Sequence, residues 1–280
     1  MLRFFLLCGA AAVLVGTIWW ASTGLIIFTF LQLAGIAVLL ESLLFATGIH
    51  SHWKRLASYA WHLITLFSLG TFVGVLLFDL PGVFILKAWD YPVYSPLTNL
   101  SGYLKIMWGW GAYFLIFHES YLLLDRLLHH RHHHATATGK LKRVYSFLGP
   151  IGIALVIAGA AFPILAGTPA LSGLMMAGGI WLILEGFEFP RKRSTFLYEV
   201  ISGNMRPLVS IFIGAMVVGF LSEWTNLVAP TQQWIYYGIP WEKVTLLGVP
   251  LSLLLSWSVM YIIFLSLENI LVRTDEEIWN

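Results

Sequence analysis

The 280-residue chain is 59% hydrophobic and 11% charged, with a formal net charge of +2 and a mean hydropathy of +0.81. A soluble domain carries about 25% charged residues, so this composition excludes a water-soluble globular fold, a disordered chain and a nucleic-acid-binding domain. Cys8 is the single cysteine, which excludes an intramolecular disulfide and a cysteine-ligated zinc or c-type haem site. The sequence predicts an all-α membrane protein.

Eight runs of the chain are long and apolar enough to cross a bilayer, which requires about 20 residues. The first run resembles a signal peptide, but Trp19 and Trp20 follow it where a cleavage site would need small residues. We therefore expect it to be retained. The eight predicted transmembrane helices are 4–21, 25–47, 59–79, 101–125, 147–166, 170–189, 207–223 and 246–271.

The distribution of basic residues predicts the orientation, because Lys and Arg concentrate in cytoplasmic loops. With both termini in the cytoplasm, thirteen of the sixteen basic residues lie on the cytoplasmic side, and only Lys87, Lys105 and Lys243 lie outside it. We expect a multi-pass protein of the plasma (inner) membrane with cytoplasmic N and C termini.

An internal repeat relates the two parts of the chain. Residues 34–45 resemble residues 178–189 at an offset of 144, which aligns Glu41 with Glu185. Further aligned pairs are Gly70 with Gly214, Asp79 with Glu223, Trp89-Asp90-Tyr91 with Trp234-Ile235-Tyr236, Trp108 with Trp257, and Glu119 with Glu268. We expect two parallel four-helix repeats, at 1–128 and 146–280, related by an axis along the membrane normal. A basic, His-rich cytoplasmic loop at 129–145 joins them.

Four glutamates form a predicted intramembrane acidic layer: Glu41, Glu119, Glu185 and Glu268. Each lies within seven residues of the cytoplasmic end of its predicted helix, which is at most about 10 Å at the rise of an α-helix. A charged group at this depth costs several kcal/mol. These glutamates either form an ionisable cavity or fix the helix packing by pairing with His62, Arg206 or loop cations.

A second acidic layer contains Asp79 and Glu223, at the opposite ends of the third and seventh predicted helices. Aromatic residues follow each of them: Trp89 and Tyr91 in one half, Trp234 and Tyr236 in the other. A carboxyl group in an apolar pocket can act as a general acid near neutral pH, and aromatic rings can stabilise a cation. Asp79 and Glu223 are the candidate catalytic residues, and the alternative is an aromatic belt that anchors the helices at the membrane surface.

Other motifs carry less information. The His-rich run 129–134 resembles a metal-binding tract, but a basic loop near anionic lipid is the better interpretation, and no metal or cofactor is expected. His62 and His118 are either axial haem ligands or hydrogen-bonding partners of the inner acidic layer. The chain has no P-loop, GxSxG, HExxH or GxGxxG motif, so nucleotide-driven transport and the common hydrolase mechanisms have no support.

The C-terminal quarter resembles a known family. Glu223-Trp224-Thr225-Asn226, Trp234-Ile235-Tyr236 and Leu247-Gly248-Val249-Pro250-Leu251, followed by Trp257 and Met260-Tyr261, are similar to integral-membrane carotenoid-biosynthesis proteins. The resemblance is especially to the bisanhydrobacterioruberin hydratase type and, more loosely, to the membrane lycopene cyclases; the chain also looks like some uncharacterised bacterial multi-pass proteins. The Pro-Glu-Glu-type acidic doublet of the cyclases is absent, and Glu41 and Glu119 are single acids.

The resemblance implies acid-initiated hydration or cyclisation of a long polyene without metal or nucleotide. It would make Glu223 the acid, with a substrate-binding set that we extend through the repeat: Trp234, Tyr236, Trp257, Asn226, Trp89 and Tyr91. Two alternatives remain open. The first is a non-catalytic or quinone-binding membrane subunit of an electron-transfer complex. The second is a transporter. The expected partners are membrane lipids, a hydrophobic isoprenoid or quinone, and further membrane subunits.

Overall fold

The computed structural model describes residues 2–48, 60–128, 139–166, 169–190 and 195–271. The His-rich run 129–134 lies outside these residues, as does the side chain of His62. The helices, in chain order, are α1 Leu2–Thr23, α2 Ile26–Ala46, α3 Ala60–Val73 with its π-helical continuation Gly74–Ile85, α4 Leu100–Leu127, α5 Gly139–Ala166, α6 Pro169–Glu188, α7 Phe196–Ile201, α8 Arg206–Val228 and α9 Leu251–Leu271.

Six helical segments within the described residues are long and apolar enough to span a membrane: Leu2–Thr23, Ile26–Ala46, Leu63–Ile85, Arg143–Ala161, Arg206–Val228 and Leu251–Leu271. Large apolar side chains such as Leu7, Ile157 and Val217 are exposed on their surfaces, as expected for helices that face lipid. The chain is an all-α membrane protein. The other two predicted spans, 101–125 and 170–189, coincide with the helices α4 and α6.

Glycine contacts bring the first two helices of each predicted repeat close together. A Cβ atom on Gly35 of α2 would lie 2.6 Å from the backbone nitrogen of Val13 in α1. In the same way, a Cβ on Gly179 of α6 would lie 2.6 Å from the carbonyl oxygen of Gly152 in α5. Backbones that approach this closely require glycine, which is how membrane helices without large side chains between them pack. Both helix pairs are therefore tight hairpins.

The third helix changes its winding before it ends. From Gly74 to Ile85 it is a π-helix that contains Pro81, and the backbone N–H of Leu86 donates to the carbonyl oxygen of Pro81 at 2.8 Å. A π-helical stretch accommodates more residues per turn than an α-helix and is common beside functional sites. The predicted span 59–79 therefore extends to residue 85, with Asp79 inside the π-helical segment.

Two short strands pair where the predicted halves meet. Strand β1 (Trp89–Asp90) is antiparallel to β2 (Ile235–Tyr236), with Trp89 opposite Tyr236 and Asp90 opposite Ile235. In the sequence repeat, Trp89 aligns with Trp234 and Asp90 with Ile235. A two-fold axis that passes between Asp90 and Ile235 would generate this same register. We call the end of the helix bundle that carries β1 and β2 the strand end. The segments α3 and α8 both end there, so they run in the same direction.

Two boundaries differ from the sequence predictions. Strands β3 (Thr245–Leu246) and β4 (Val249–Pro250) form a hairpin where the last helix was expected to begin, because Leu247 and Gly248 both have positive φ angles and make a tight turn. In addition, α5 begins at Gly139, inside the loop expected at 129–145. Tyr145 stabilises this helical start by stacking on Phe189, with ring centroids 3.9 Å apart.

The core lies between α4, α8 and α9, and much of it is aromatic. The ring of Phe117 in α4 contacts Tyr261 and Phe264 of α9, with ring centroids 4.4 and 5.6 Å apart. All three side chains are almost completely buried. Offset and edge-to-face ring pairs of this kind add to the stability gained by burial. This core joins α4 to α9.

Candidate functional site

The carboxylate of Asp79 lies at the strand end and is fully buried. It accepts hydrogen bonds from the Tyr91 hydroxyl at 2.6 Å, the Tyr103 hydroxyl at 3.0 Å and the Trp110 indole nitrogen at 2.9 Å. The side chain of Trp89 is a fourth hydrogen-bonding partner. Tyr91 and Trp89 come from the chain around β1, whereas Tyr103 and Trp110 come from α4. The carboxylate therefore connects β1 to α4 through neutral aromatic donors.

Glu223 of α8 has the same kind of surroundings in the second half. It accepts hydrogen bonds from the Trp234 indole at 3.1 Å, the Tyr236 hydroxyl at 2.8 Å and the Trp257 indole at 2.9 Å. Trp234 and Tyr236 flank or belong to β2, and Trp257 belongs to α9. Hydrogen bonds to an ionised acceptor are shorter and stronger than neutral ones, so three donors make a stable setting for a carboxylate.

The donors of the two carboxylates correspond one to one. Trp89 matches Trp234, Tyr91 matches Tyr236 and Trp110 matches Trp257, while Tyr103 is an additional donor to Asp79. The sequence alignment instead matched Trp257 with Trp108. Trp108 is 63% exposed and packs its ring on Phe67. By its hydrogen bond, the residue that corresponds to Trp257 is Trp110, two residues after Trp108. The connection between the strand and the last helix of each half differs in length.

A cavity of about 110 Å³ lies between the two carboxylates. Its lining includes five of the predicted site residues, which are Trp89, Tyr91, Trp234, Tyr236 and Trp257. Trp110, Tyr113 and Phe30 add further aromatic surface. Asp79 and Glu223 are not part of this lining; they lie behind the aromatic side chains that bond to them. The cavity is thus an aromatic chamber with a carboxylate on the far side of each wall.

The two tyrosine hydroxyls connect the cavity to the carboxylates. Tyr91 and Tyr236 both line the cavity, and each donates its hydroxyl proton to one carboxylate. Burial raises the pKa of Tyr91 well above its ordinary value, and the neighbouring Asp79 raises it further. Burial and Glu223 raise the pKa of Tyr236 in the same way. Both hydroxyls therefore stay protonated at any physiological pH.

Asn226, predicted to bind substrate, has a different position. Its amide donates to the carbonyl oxygen of Trp234 at 2.8 Å and accepts from the backbone N–H of Gln233 at 2.8 Å. It does not line the cavity. Asn226 instead fixes the chain between α8 and β2, and so sets the position of Trp234. The side chain of Gln233, which does line the cavity, bonds to Thr29 of α2.

The inner acidic layer is assembled in part. The side chains of Glu119 and Glu41 are hydrogen-bonded, and Glu268 is close enough to interact electrostatically with Glu119. His118 Nδ1 lies 2.5 Å from Glu268 Oε1. Two carboxyl groups can be hydrogen-bonded to each other only when one of them carries a proton. His118 is thus paired with Glu268 within this cluster.

Glu185, the fourth predicted member of the inner layer, has its own set of partners. It accepts hydrogen bonds from the Trp181 indole at 3.1 Å and from the backbone N–H of Leu197 at 2.9 Å. These bonds tie α6 to the start of α7. Arg206, considered as a counter-ion for the glutamates, lies 3.7 Å from Asp125.

Tyr103 and Trp110 are site residues that the sequence did not reveal. Both belong to α4, where Tyr103 lies about one turn and Trp110 about three turns from the start of the helix. A comparison of the spacing from each acid, Asp79 and Glu223, to a tryptophan in the next helix could have found Trp110. It would have had to allow the loops of the two halves to differ in length. Among the described residues, no group of three or more His, Cys, Asp and Glu side chains is arranged to hold a metal ion.

Comparison of the chain with protein-family models, with curated proteins and with solved structures finds no match.

Proposed function

We propose that this multi-pass membrane protein binds one end of an isoprenoid polyene in the aromatic cavity and catalyses its acid-initiated hydration or cyclisation. One observation carries the proposal: two buried carboxylates, each held by Trp and Tyr donors, flank a single cavity lined by those same aromatic side chains. An enzyme stabilises the charge that develops in the transition state. Here that charge is a carbocation beside a newly formed carboxylate.

The proposed first step uses Glu223 and Tyr236 with the hydrogen bond between them reversed: the protonated Glu223 donates to the Tyr236 oxygen, and the tyrosine O–H turns to the cavity. The Tyr236 hydroxyl proton moves to an alkene carbon of the polyene and leaves a cation on the neighbouring carbon. At the same time the protonated Glu223 returns its proton to the tyrosine oxygen and becomes a carboxylate that three donors stabilise. Water or an internal double bond then adds to the cation, and the proton released restores the acid. Asp79 and Tyr91 offer the same pair on the other side of the cavity.

The test measures turnover of an acyclic polyene by the purified protein in deuterated water. We expect one deuterium per product, and a loss of about a hundredfold or more in Glu223→Gln, the usual range for removing a general acid. Tyr236→Phe should lose activity as well. Glu242→Gln removes an exposed carboxylate and should be fully active. A folded Glu223→Gln protein with undiminished turnover would show that Glu223 is not the acid.

The inner cluster of Glu41, Glu119, Glu268 and His118 favours a second candidate function. A buried group of acids that holds a proton is suited to proton movement, which a quinone-binding subunit of an electron-transfer complex requires. This candidate predicts a quinone among the extracted lipids and larger redox subunits that co-purify. A transporter built from two matching halves is the third candidate, and it predicts uptake of a solute into vesicles.

The topology that we propose has eight spans arranged as two parallel four-helix repeats, 1–128 and 146–280. Both termini would be cytoplasmic in the plasma membrane. The supporting observations are the excess of basic residues on one side of the predicted topology, the matched carboxylate surroundings, and the common direction of α3 and α8.

A further inference from the structure

The two carboxylates beside the cavity have only neutral partners. Within the described residues, the side chains that bond to Asp79 are Trp and Tyr. Those that bond to Glu223 are also Trp and Tyr, and no Lys, Arg or His contributes to either set. A buried charge normally has a partner of opposite sign. Donor hydrogen bonds orient a carboxylate but do not cancel its charge.

The cavity between the carboxylates has the surface that attracts a cation. Each indole turns its N–H edge to a carboxylate, as Trp110 does to Asp79 and Trp257 to Glu223. Both tryptophans also line the cavity. The π-face of Trp or Tyr attracts an organic cation, and several rings around one quaternary ammonium form the usual recognition site for such a group. A carboxylate behind the ring adds to this attraction.

The free space limits what the cavity can hold. A volume of about 110 Å³ takes one compact headgroup but not a phospholipid or a folded polyene, whose remaining length must lie elsewhere. Open space also surrounds one position of the lining. A Cβ added to Gly109 of α4 would have no heavy atom within 4 Å, so this glycine borders a vacant part of the chamber.

We propose that the aromatic cavity binds a lipophilic organic cation of the quaternary ammonium type, whose charge Asp79 and Glu223 neutralise from behind the rings. This inference concerns the same site as the proposed function and rests on it. In the proposed reaction, the positive charge of the ammonium corresponds to that of the carbocation. Binding itself requires no turnover.

The first experiment compares two probes on the unaltered protein. Hexyltrimethylammonium and its neutral isostere, in which carbon replaces nitrogen, have the same shape and differ in charge. We expect the ammonium to bind about tenfold or more tightly in calorimetric titrations in a neutral detergent, since cation–π attraction between desolvated groups reaches this size. Equal affinity for the two probes would overturn the proposal without any variant being made.

Variants then identify the source of the preference. The Asp79→Asn, Glu223→Gln double variant should lose most of the preference for the ammonium and keep the smaller part that the aromatic rings supply, and an undiminished preference would overturn the role of the carboxylates. Gly109→Leu should weaken binding of both probes, because its side chain enters the open space. Gly178→Leu is the matched control, since Gly178 also has nothing within 4 Å and does not line the cavity. Undiminished binding in a folded Gly109→Leu protein would place the probe elsewhere.

The outcomes separate this proposal from the proposed function. Selective binding of the ammonium with no turnover of any polyene would sustain the cation site and reject the enzyme. Turnover that depends on Glu223 but is insensitive to the ammonium would reject the cation site and sustain the enzyme. If both hold, the ammonium should inhibit turnover in competition with the polyene.

Discussion

Trp110 and Trp257 stabilise the fold by hydrogen bonding as well as by packing. Each donates an indole N–H to a carboxylate that is almost completely buried. When such a donor is removed, the acceptor loses a charge-assisted bond that water cannot replace. The same aromatic ring also fills space beside a glycine: a Cβ on Gly74 would lie 2.3 Å from Trp110, and one on Gly219 would lie 2.8 Å from Trp257.

We expect Trp110→Phe to lower the free energy of unfolding by about 1–3 kcal/mol, the cost of leaving a buried acceptor without a donor. The measurement is thermal unfolding in detergent, followed by circular dichroism. Trp108→Phe, at an exposed position two residues away, is the control and should change little. Equal destabilisation by both substitutions would mean that the hydrogen bond to Asp79 contributes nothing measurable.

Single residues also mark the limit of what the sequence could predict at the site. Asp79, Glu223 and five of their aromatic neighbours were identifiable because the repeat placed them twice. Trp110 was missed because the alignment that pairs Glu119 with Glu268 also pairs Trp257 with Trp108. Tyr103 has no counterpart among the Glu223 donors, so no repeat could reveal it. Asn226 was predicted to bind substrate, because the sequence does not distinguish an asparagine that contacts a ligand from one that bonds to the backbone of a loop.

At the scale of elements, the paired hairpins α1–α2 and α5–α6 depend on which glycine faces the neighbouring helix. Gly178 and Gly179 are adjacent in α6, yet only Gly179 touches α5. Hydropathy predicted the existence of the helices α5 and α6, because length and apolar character are enough to predict a membrane helix. It could not identify the contact face, because an apolar membrane helix lacks the polar stripe that reveals orientation in a soluble one.

We expect Gly179→Ala to destabilise the protein by about 1–3 kcal/mol, the usual cost of overpacking, because the new methyl group meets the Gly152 backbone. The neighbouring substitution Gly178→Ala should be neutral or slightly stabilising, since alanine favours a helix over glycine by about 1 kcal/mol. The order of the two melting temperatures in detergent tests this. A higher melting temperature for Gly179→Ala than for Gly178→Ala would contradict the close α5–α6 packing.

The elements at the strand end show why helix boundaries were harder to predict than helix existence. The run 246–271 is apolar throughout, so composition predicted one helix. The positive φ angles at Leu247 and Gly248 turn its first residues into a hairpin. The π-helical segment of α3 likewise has no compositional signature, because a change of winding leaves the hydrophobic run unbroken.

At the scale of the whole molecule, the topology has a direct test. In a Cys8→Ser background, which is free of cysteine, single cysteines at Thr98, Ala135 and Glu242 are labelled on intact cells with a membrane-impermeant thiol reagent. Eight parallel-repeat spans predict that the positions 98 and 242 are labelled and that 135 is not, because α4 separates 98 from 135. Labelling of both 98 and 135 from outside would show that α4 does not cross.

The register of β1 and β2 bears on how two matching halves came to differ. Residues on a two-fold axis face their own copies, so identical halves would set Asp90 against a second aspartate, and like charges across a strand pair repel. Ile235 occupies that place instead. A symmetric homodimer cannot place unlike residues at such a pair, whereas two halves of one chain can. In a symmetric dimer, a substitution at this position changes both partners at once. Duplication and fusion of an ancestral half-length gene would allow one aspartate to change alone, and so would remove the repulsion at the axis.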